Sequence, residues 1–200
     1  MNPNIKTIKT NTSAIAIVSL YNYANLAETA KTHARKQWLA RYDTIDLDFA
    51  LDDAKTISKH LGFDIKQIRY SGFYQQGDGA SINGDWNAER VDPVGPKDFI
   101  NDDNLVAIYK TLCAIAKRNS DAVVKLSPHG RSCHEYSVSY SHNDISEDDE
   151  TLFEETARNL MRWVYAQLKD EYEHQTSDDV VAETLIANEY LFTEDGKMFK

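Results

Sequence analysis

Two short stretches carry side chains whose types and spacing could do chemistry. The first, Ser71-Gly72-Phe73-Tyr74-Gln75-Gln76-Gly77-Asp78-Gly79-Ala80-Ser81, sets one carboxylate between two glycines, with Gln76 and Ser81 as uncharged hydrogen-bonding neighbours. Glycines beside an acid let the backbone reach positive φ or approach a ligand closely, so the stretch suits recognition or a single general base. Ser71, Gln76, Gly77, Asp78, Gly79 and Ser81 are its candidate binding residues. The same wording also describes a tight loop whose aspartate caps its own amides. It is neither a phosphate loop, which needs Lys and Ser/Thr after its last glycine, nor a dinucleotide fingerprint, which needs a helix at its third glycine.

The second stretch is Cys133-His134-Glu135-Tyr136, between His129 and His142. Imidazole titrates near neutral pH, so His134 could serve as acid or base if Asp78 lies opposite it across a sheet; these two are the candidate catalytic residues. Tyr136 joins the binding candidates. On a strand His134 and Tyr136 would share one face and Cys133 and Glu135 the other, and zinc spacing is absent, so neither a metal nor any other cofactor is expected. Ser132, Ser137, Ser139 and Ser141 lack the strand-to-helix elbow of a serine nucleophile. Cys113 and Cys133 read as free thiols.

These candidates need elements to hold them. Leu26, Ala30, Ala34 and Trp38 mark one face of a helix within 22–38, after a short apolar run at 14–20. Leu47, Leu51, Ala54, Ile57 and Leu61 mark a second helix, with Asp46 placed to cap its start and Gly62 to end it in a left-handed conformation. A strand through Ile65, Ile68 and Tyr70 leads into the first candidate stretch. Glycine and asparagine breakers between Gln75 and Trp86, then Asp92-Pro93-Val94-Gly95-Pro96, predict loop. A third helix is predicted from Asp98 to Arg118, then a hairpin whose first strand is 122–126 and whose second, alternating strand is Cys133–Ser141. A long helix over 148–172 and a last one opened by Thr176-Ser177-Asp178-Asp179 complete an α+β fold: one domain over 13–200, with a small, mostly antiparallel sheet, after a flexible tail at 1–12.

Charge is unevenly placed. The net charge is −10, and sixteen of the 32 acids fall between Asn143 and Asp195 against only Arg158, Arg162 and Lys169. That region repels a phosphate backbone and attracts a basic partner surface, with Asp148, Asp149, Glu150, Glu154 and Glu155 as the expected contact residues. Phe73, Tyr74 and Trp86 beside Arg69 and Arg90 have the make-up of a base-stacking surface, but Asp78, Asp85, Glu89 and Asp92 oppose it, so no direct nucleic-acid binding is expected. The polar start at 1–13 carries no secretion signal and no apolar run spans a bilayer, so the expected compartment is the cytoplasm, with no membrane partner.

The wording Ser71-Gly72-Phe73-Tyr74-Gln75-Gln76-Gly77-Asp78-Gly79-Ala80 resembles a family of bacteriophage and prophage proteins with the motif Ser-Gly-Phe-x-x-Gln-Gly-Asp-Gly-Ala. The likeness extends to Leu61-Gly62-Phe63, His134-x-Tyr136, Met161-Arg162-Trp163-Val164-Tyr165, Glu171-Tyr172-Glu173, Thr176-Ser177-Asp178 and the run from Asn188 to Gly196, so it covers about Asp43 to Gly196. The hairpin departs from the His-x-Tyr-x-His pattern associated with relatives. Members are loosely labelled antitoxins of toxin-antitoxin systems. The resemblance implies an accessory protein of a phage or mobile element, working in a bacterial cytoplasm by inhibiting a toxin or a host defence effector such as a CRISPR or restriction complex. A small hydrolase or nuclease built on Asp78 and His134 is the alternative.

Overall fold

Every strand pair among the described residues is antiparallel, and the helices fill the sequence between the strands. The computed structural model describes residues 4–9, 15–41, 45–95, 102–143 and 145–199. The result is the expected α+β fold, with a four-stranded and a three-stranded sheet and a long C-terminal helix, within which the chain gathers into two compact units.

The central unit, 47–171, holds the four-stranded sheet in the order β3-β4-β5-β6. Helix α2 (Asp48–His60) runs directly into β3 (Leu61–Tyr70), and Gly62, at φ +90°, makes that switch in the left-handed region as expected. The residue at the α2 cap is Leu47, whose side chain bonds nothing; Asp46, expected there, instead exchanges backbone hydrogen bonds with the Gln175 amide.

The 75–86 region, expected as loop, is a loop only as far as Gly79: β4 (Ala80–Val91) is a twelve-residue strand in the middle of the sheet. Its odd-looking composition has two causes. Ile82, Trp86 and Ala88 are buried, while the alternate positions Asn83, Asp85 and Asn87 stay half-exposed on the other face. Gly84 is there for a different reason, since a Cβ on it would lie 2.2 Å from the Asp64 carbonyl oxygen across the bulged β3 pairing. Trp86 is wholly buried, its Nε1 donating to the Leu61 carbonyl at 2.9 Å, so it cannot stack on a base.

Helix α3 (Asp103–Arg118) starts at an Asp102 cap that accepts from Asn104 and Leu105; Asp98 and Ile100, where its start was expected, lie outside the described residues. β5 (Val123–Pro128) and β6 (Val138–Asn143) form the expected hairpin with a longer connection than expected, so His134, Glu135 and Tyr136 sit in a turn, not on a strand. Helix α4 (Glu147–Thr176) buries Phe153, Ala157, Leu160, Met161, Val164 and Leu168 at helical spacing, and Phe153 packs against Phe63, Trp86 and Tyr140.

The terminal unit comprises 1–46 and 172–200. Within the segment expected as a tail, β1 (Asn4–Lys9) pairs with β2 (Ile15–Asn22), and β2 pairs with β7 (Leu191–Phe192). Helix α1 (Glu28–Arg41) buries Ala30 and Ala34 with Leu26, as its spacing predicts, against Val181, Leu185, Phe192 and Met198. Helix α5 (Asp178–Ala187) is capped by Ser177, whose hydroxyl accepts from Val180 N.

Candidate functional site

The first candidate stretch is the β3–β4 connection, and its geometry is set from within. Ser71 N donates to the Gly79 carbonyl at 3.1 Å and Gly79 N to Ser71 Oγ at 3.2 Å, which closes the neck. Asp78 Oδ2 accepts from Tyr74 N at 3.0 Å and Gln75 N at 2.7 Å, so this carboxylate caps its own loop. Ser81 lies in β4, not in the loop, and is fully buried with its Oγ unbonded, out of reach of a ligand at Gln76 or Gly77. Replacing Asp78 by Asn is expected to keep the fold but cost about 1 kcal/mol, because the charge-assisted bonds become neutral. Hydrogen exchange should show Tyr74 and Gln75 amides losing protection while those of β3 and β4 keep theirs.

Phe73 packs against Tyr70 and Tyr165, at ring-centroid distances of 6.1 and 5.7 Å, and the Tyr165 hydroxyl donates to the Gly72 carbonyl at 3.0 Å. The loop is thereby pinned to α4. Tyr74, next in line, is left 68% exposed with the Lys169 ammonium 5.8 Å from its ring centre.

The two candidate stretches do meet: a Cβ on Gly79 would come within 3.2 Å of His134 Cα and 3.5 Å of Glu135 Oε2. What the turn presents there is a tyrosine. Tyr136 is 60% exposed, yet it is held from three sides. The His134 ring stacks on it at 5.4 Å, the guanidinium of Arg158 lies 5.3 Å and that of Arg162 5.6 Å from its centroid, and Arg162 Nη2 donates to its hydroxyl at 2.9 Å. Arg162 is fixed in turn. Its Nε donates to buried Glu135 at 2.9 Å and its Nη1 to Glu155 and Asn159, each at 2.8 Å. Glu155 and Glu135 push the Arg162 pKa up, Arg162 holds the Glu155 carboxyl below its usual range, and burial pushes the Tyr140 hydroxyl up to about 12.

The acidic residues expected to face a partner behave differently from one another. Asp148 is exposed. Asp149 is not a surface residue at all: it is buried, its carboxylate takes bonds from the side chains of Arg118, Asn119 and Ser146, and its own backbone N–H donates to Ser146 Oγ at the start of α4. Glu150 lies 3.0 Å from His142, and Glu154 and Glu155 pair with Arg158. Much of the negative charge at the start of α4 is therefore matched internally.

Arg118 and its neighbours hold the Asp149 pKa at about 2, against an ordinary 3.8. The folded carboxyl is the stronger acid, so its stabilising contribution is complete above about pH 4 and is lost as pH falls toward 2. An Asp149→Asn variant is therefore expected to show a flatter acid limb in a plot of urea midpoint against pH. Among the described residues no group of three His, Cys, Asp or Glu side chains could hold a metal ion, and Cys113 and Cys133 are free. No helix among them is long and apolar enough to cross a membrane.

Asp78, His134 and Tyr136 stand out in the sequence as candidates, whereas Arg162 and Glu135 do not. The available signal was Arg158 and Arg162, spaced i and i+4, on an otherwise acidic helix.

The fold and this surface define an α+β protein that carries an arginine-braced tyrosine on one side of a long helix. The chain belongs to the family described as a domain of unknown function, DUF8835, whose model matches residues 47–178 and so spans the whole central unit. No curated protein and no solved structure matches the chain.

Proposed function

We propose that this is a phage or mobile-element accessory protein that binds and inhibits a protein partner in the host cytoplasm, either a defence effector such as a CRISPR or restriction complex, or a toxin. The observation that carries this reading is Tyr136, which is exposed and yet immobilised by His134, Arg158 and Arg162. Tyr and Arg are the residues most enriched at interface hot spots, and an aromatic fixed before binding loses little conformational entropy on contact. Tyr74 supplies a second exposed aromatic on the same side of α4, since Lys169 and Arg162 are seven residues, two turns, apart. The alternative, Asp78 and His134 as a hydrolytic pair, draws less support because Asp78 already accepts two loop amides.

The test is capture of tagged wild-type protein and of Tyr136→Ala from infected host cells, followed by mass spectrometry. A stoichiometric protein recovered with the wild type and lost with the variant supports the reading. Recovery with both, or with neither, defeats it.

A further inference from the structure

The four-stranded sheet ends in two different edges. At one end β3 carries the usual protection against a foreign strand: two register shifts interrupt its pairing with β4, and Asp64, Lys66 and Arg69 charge it. β6, at the other end, has neither device. Its sequence, Val-Ser-Tyr-Ser-His-Asn, holds no Lys, Arg, Asp, Glu or Pro, and its pairing with β5 runs from Val138 to Asn143 without a bulge. Ser139, Ser141, His142 and Asn143 are all exposed.

The hairpin ladder fixes which backbone groups this edge offers. His129 N donates to the Ser137 carbonyl at 2.8 Å, so the pairs that exchange hydrogen bonds further along are Ser127 with Ser139 and Lys125 with Ser141. The other side of β5 agrees, since Ala88 N donates to the Ala122 carbonyl at 3.0 Å and Val124 and Leu126 therefore turn toward β4. Val138, Tyr140 and His142 are left with N–H and C=O groups pointing away from the sheet, and among the described residues these groups have no hydrogen-bond partner. Such an edge is a template for one more strand.

A second β6 fits it throughout. With a two-fold axis at Tyr140, an antiparallel pair sets Val138 opposite His142 of the second copy and Tyr140 opposite itself, three outward pairs with two hydrogen bonds in each. Every free backbone group of the edge finds its match, which is what a self-complementary contact between identical chains requires. Ser139 and Ser141 face each other across the axis, so copies of a chain with net charge −10 meet here without a like-charge contact. Beyond the strand ends the charges are complementary. The turn before Val138 carries Arg131 and the helix after Asn143 opens with Glu147 and Asp148, all three exposed and without an ion-pair partner among the described residues. The axis brings the turn of one copy toward the helix start of the other.

We infer that β6 is a self-association edge, through which two copies of this chain join their four-stranded sheets into one of eight strands. Tyr136 lies outside the paired strand, so this edge and the Tyr136 contact stand or fall separately.

The test is sedimentation equilibrium of the full chain. Two short strands meeting edge to edge make a small contact, so the dissociation constant is expected at about 10–100 μM, within a series run from about 5 to 500 μM. Ser139→Lys/Ser141→Lys places lysines directly opposite one another across the axis, and Ser139→Glu/Ser141→Glu does the same with carboxylates; each variant alone is expected to stay monomeric. Both positions are exposed, so the fold is kept. Mixed in equal amounts, the two variants are expected to associate at least tenfold more tightly than either alone. In the wild type, amide exchange at Tyr140 and His142 should slow as concentration rises, while Ser139 and Ser141, already bonded to β5, stay as they are. A wild type that is monomeric throughout the series, self-association that the lysine variant retains, or a mixture no tighter than its components overturns the inference. Protection of Tyr140 and His142 that appears only with a captured partner protein also overturns it, and assigns the edge to a foreign strand.

Discussion

Replacing Gly84 by alanine is expected to destabilise the central unit by about 4 kcal/mol or more, enough to leave much of the protein unfolded at 37 °C. The cause is geometric. A Cβ at this position would lie 2.2 Å from the Asp64 carbonyl oxygen and 3.1 Å from Ile65 Cα, and both are backbone atoms that cannot rotate away. Relief requires β3 to move off β4, and β4 is central in the sheet and carries buried Trp86 two residues later. Gly77→Ala is the control. It sits at φ +92° with nothing within 4 Å, so only left-handed backbone strain remains, about 1–2 kcal/mol. Urea unfolding of the two variants should therefore separate by at least 2 kcal/mol, and equal midpoints would show that the β3–β4 pairing does not depend on close backbone approach.

The second large effect belongs to Arg162. Replacing it by methionine keeps the alkyl packing but leaves Glu135 buried without its guanidinium, with His134 as its other ion-pair neighbour among the described residues. Breaking a buried pair from one side costs about 3–5 kcal/mol. The arginine is itself partly in water, its side chain 38% exposed, which lowers the expectation here to about 2–3 kcal/mol. Adding Glu135→Gln should recover most of that loss, since it removes the stranded charge. The double variant would be stable, but its Tyr136 would still lack the hydrogen bond from Arg162 and one of its two cationic neighbours. A thermal denaturation series over the four proteins measures the coupling, and additive losses would contradict the ion-pair account.

Helices were the legible part of this chain because burial on one side of a helix leaves a period that polar residues interrupt but do not erase. Leu47 to Leu61 and Phe153 to Leu168 show it plainly. Strand β4 was illegible because its exposed alternate positions are Asn83, Asp85 and Asn87, and one inward position is Gly84, so its composition is that of a turn. The pattern reports where side chains go, and Gly84 is chosen for where a neighbouring backbone goes.

The candidate site divides in the same way. The Ser71–Gly79 loop could be recognised from its glycines, but not that Asp78 would spend its carboxylate on Tyr74 and Gln75. The turn at His134–Tyr136 looked like strand because alternation in β6 ran on backwards into the connection. Arg162 could be counted from sequence but not placed, because its partners Glu135 and Tyr136 come from a hairpin turn, 27 and 26 residues earlier.

Tyr136, proposed as a prearranged contact for a protein partner, is tested most directly by calorimetric titration of the captured partner into wild type, Tyr136→Phe and Tyr136→Ala. A hot-spot tyrosine contributes about 2 kcal/mol or more, so the alanine variant should bind at least thirtyfold more weakly. The phenylalanine variant should fall between the two, since it keeps the ring under Arg158 and loses the hydroxyl that Arg162 holds. The same dissociation constant for all three proteins would contradict that role.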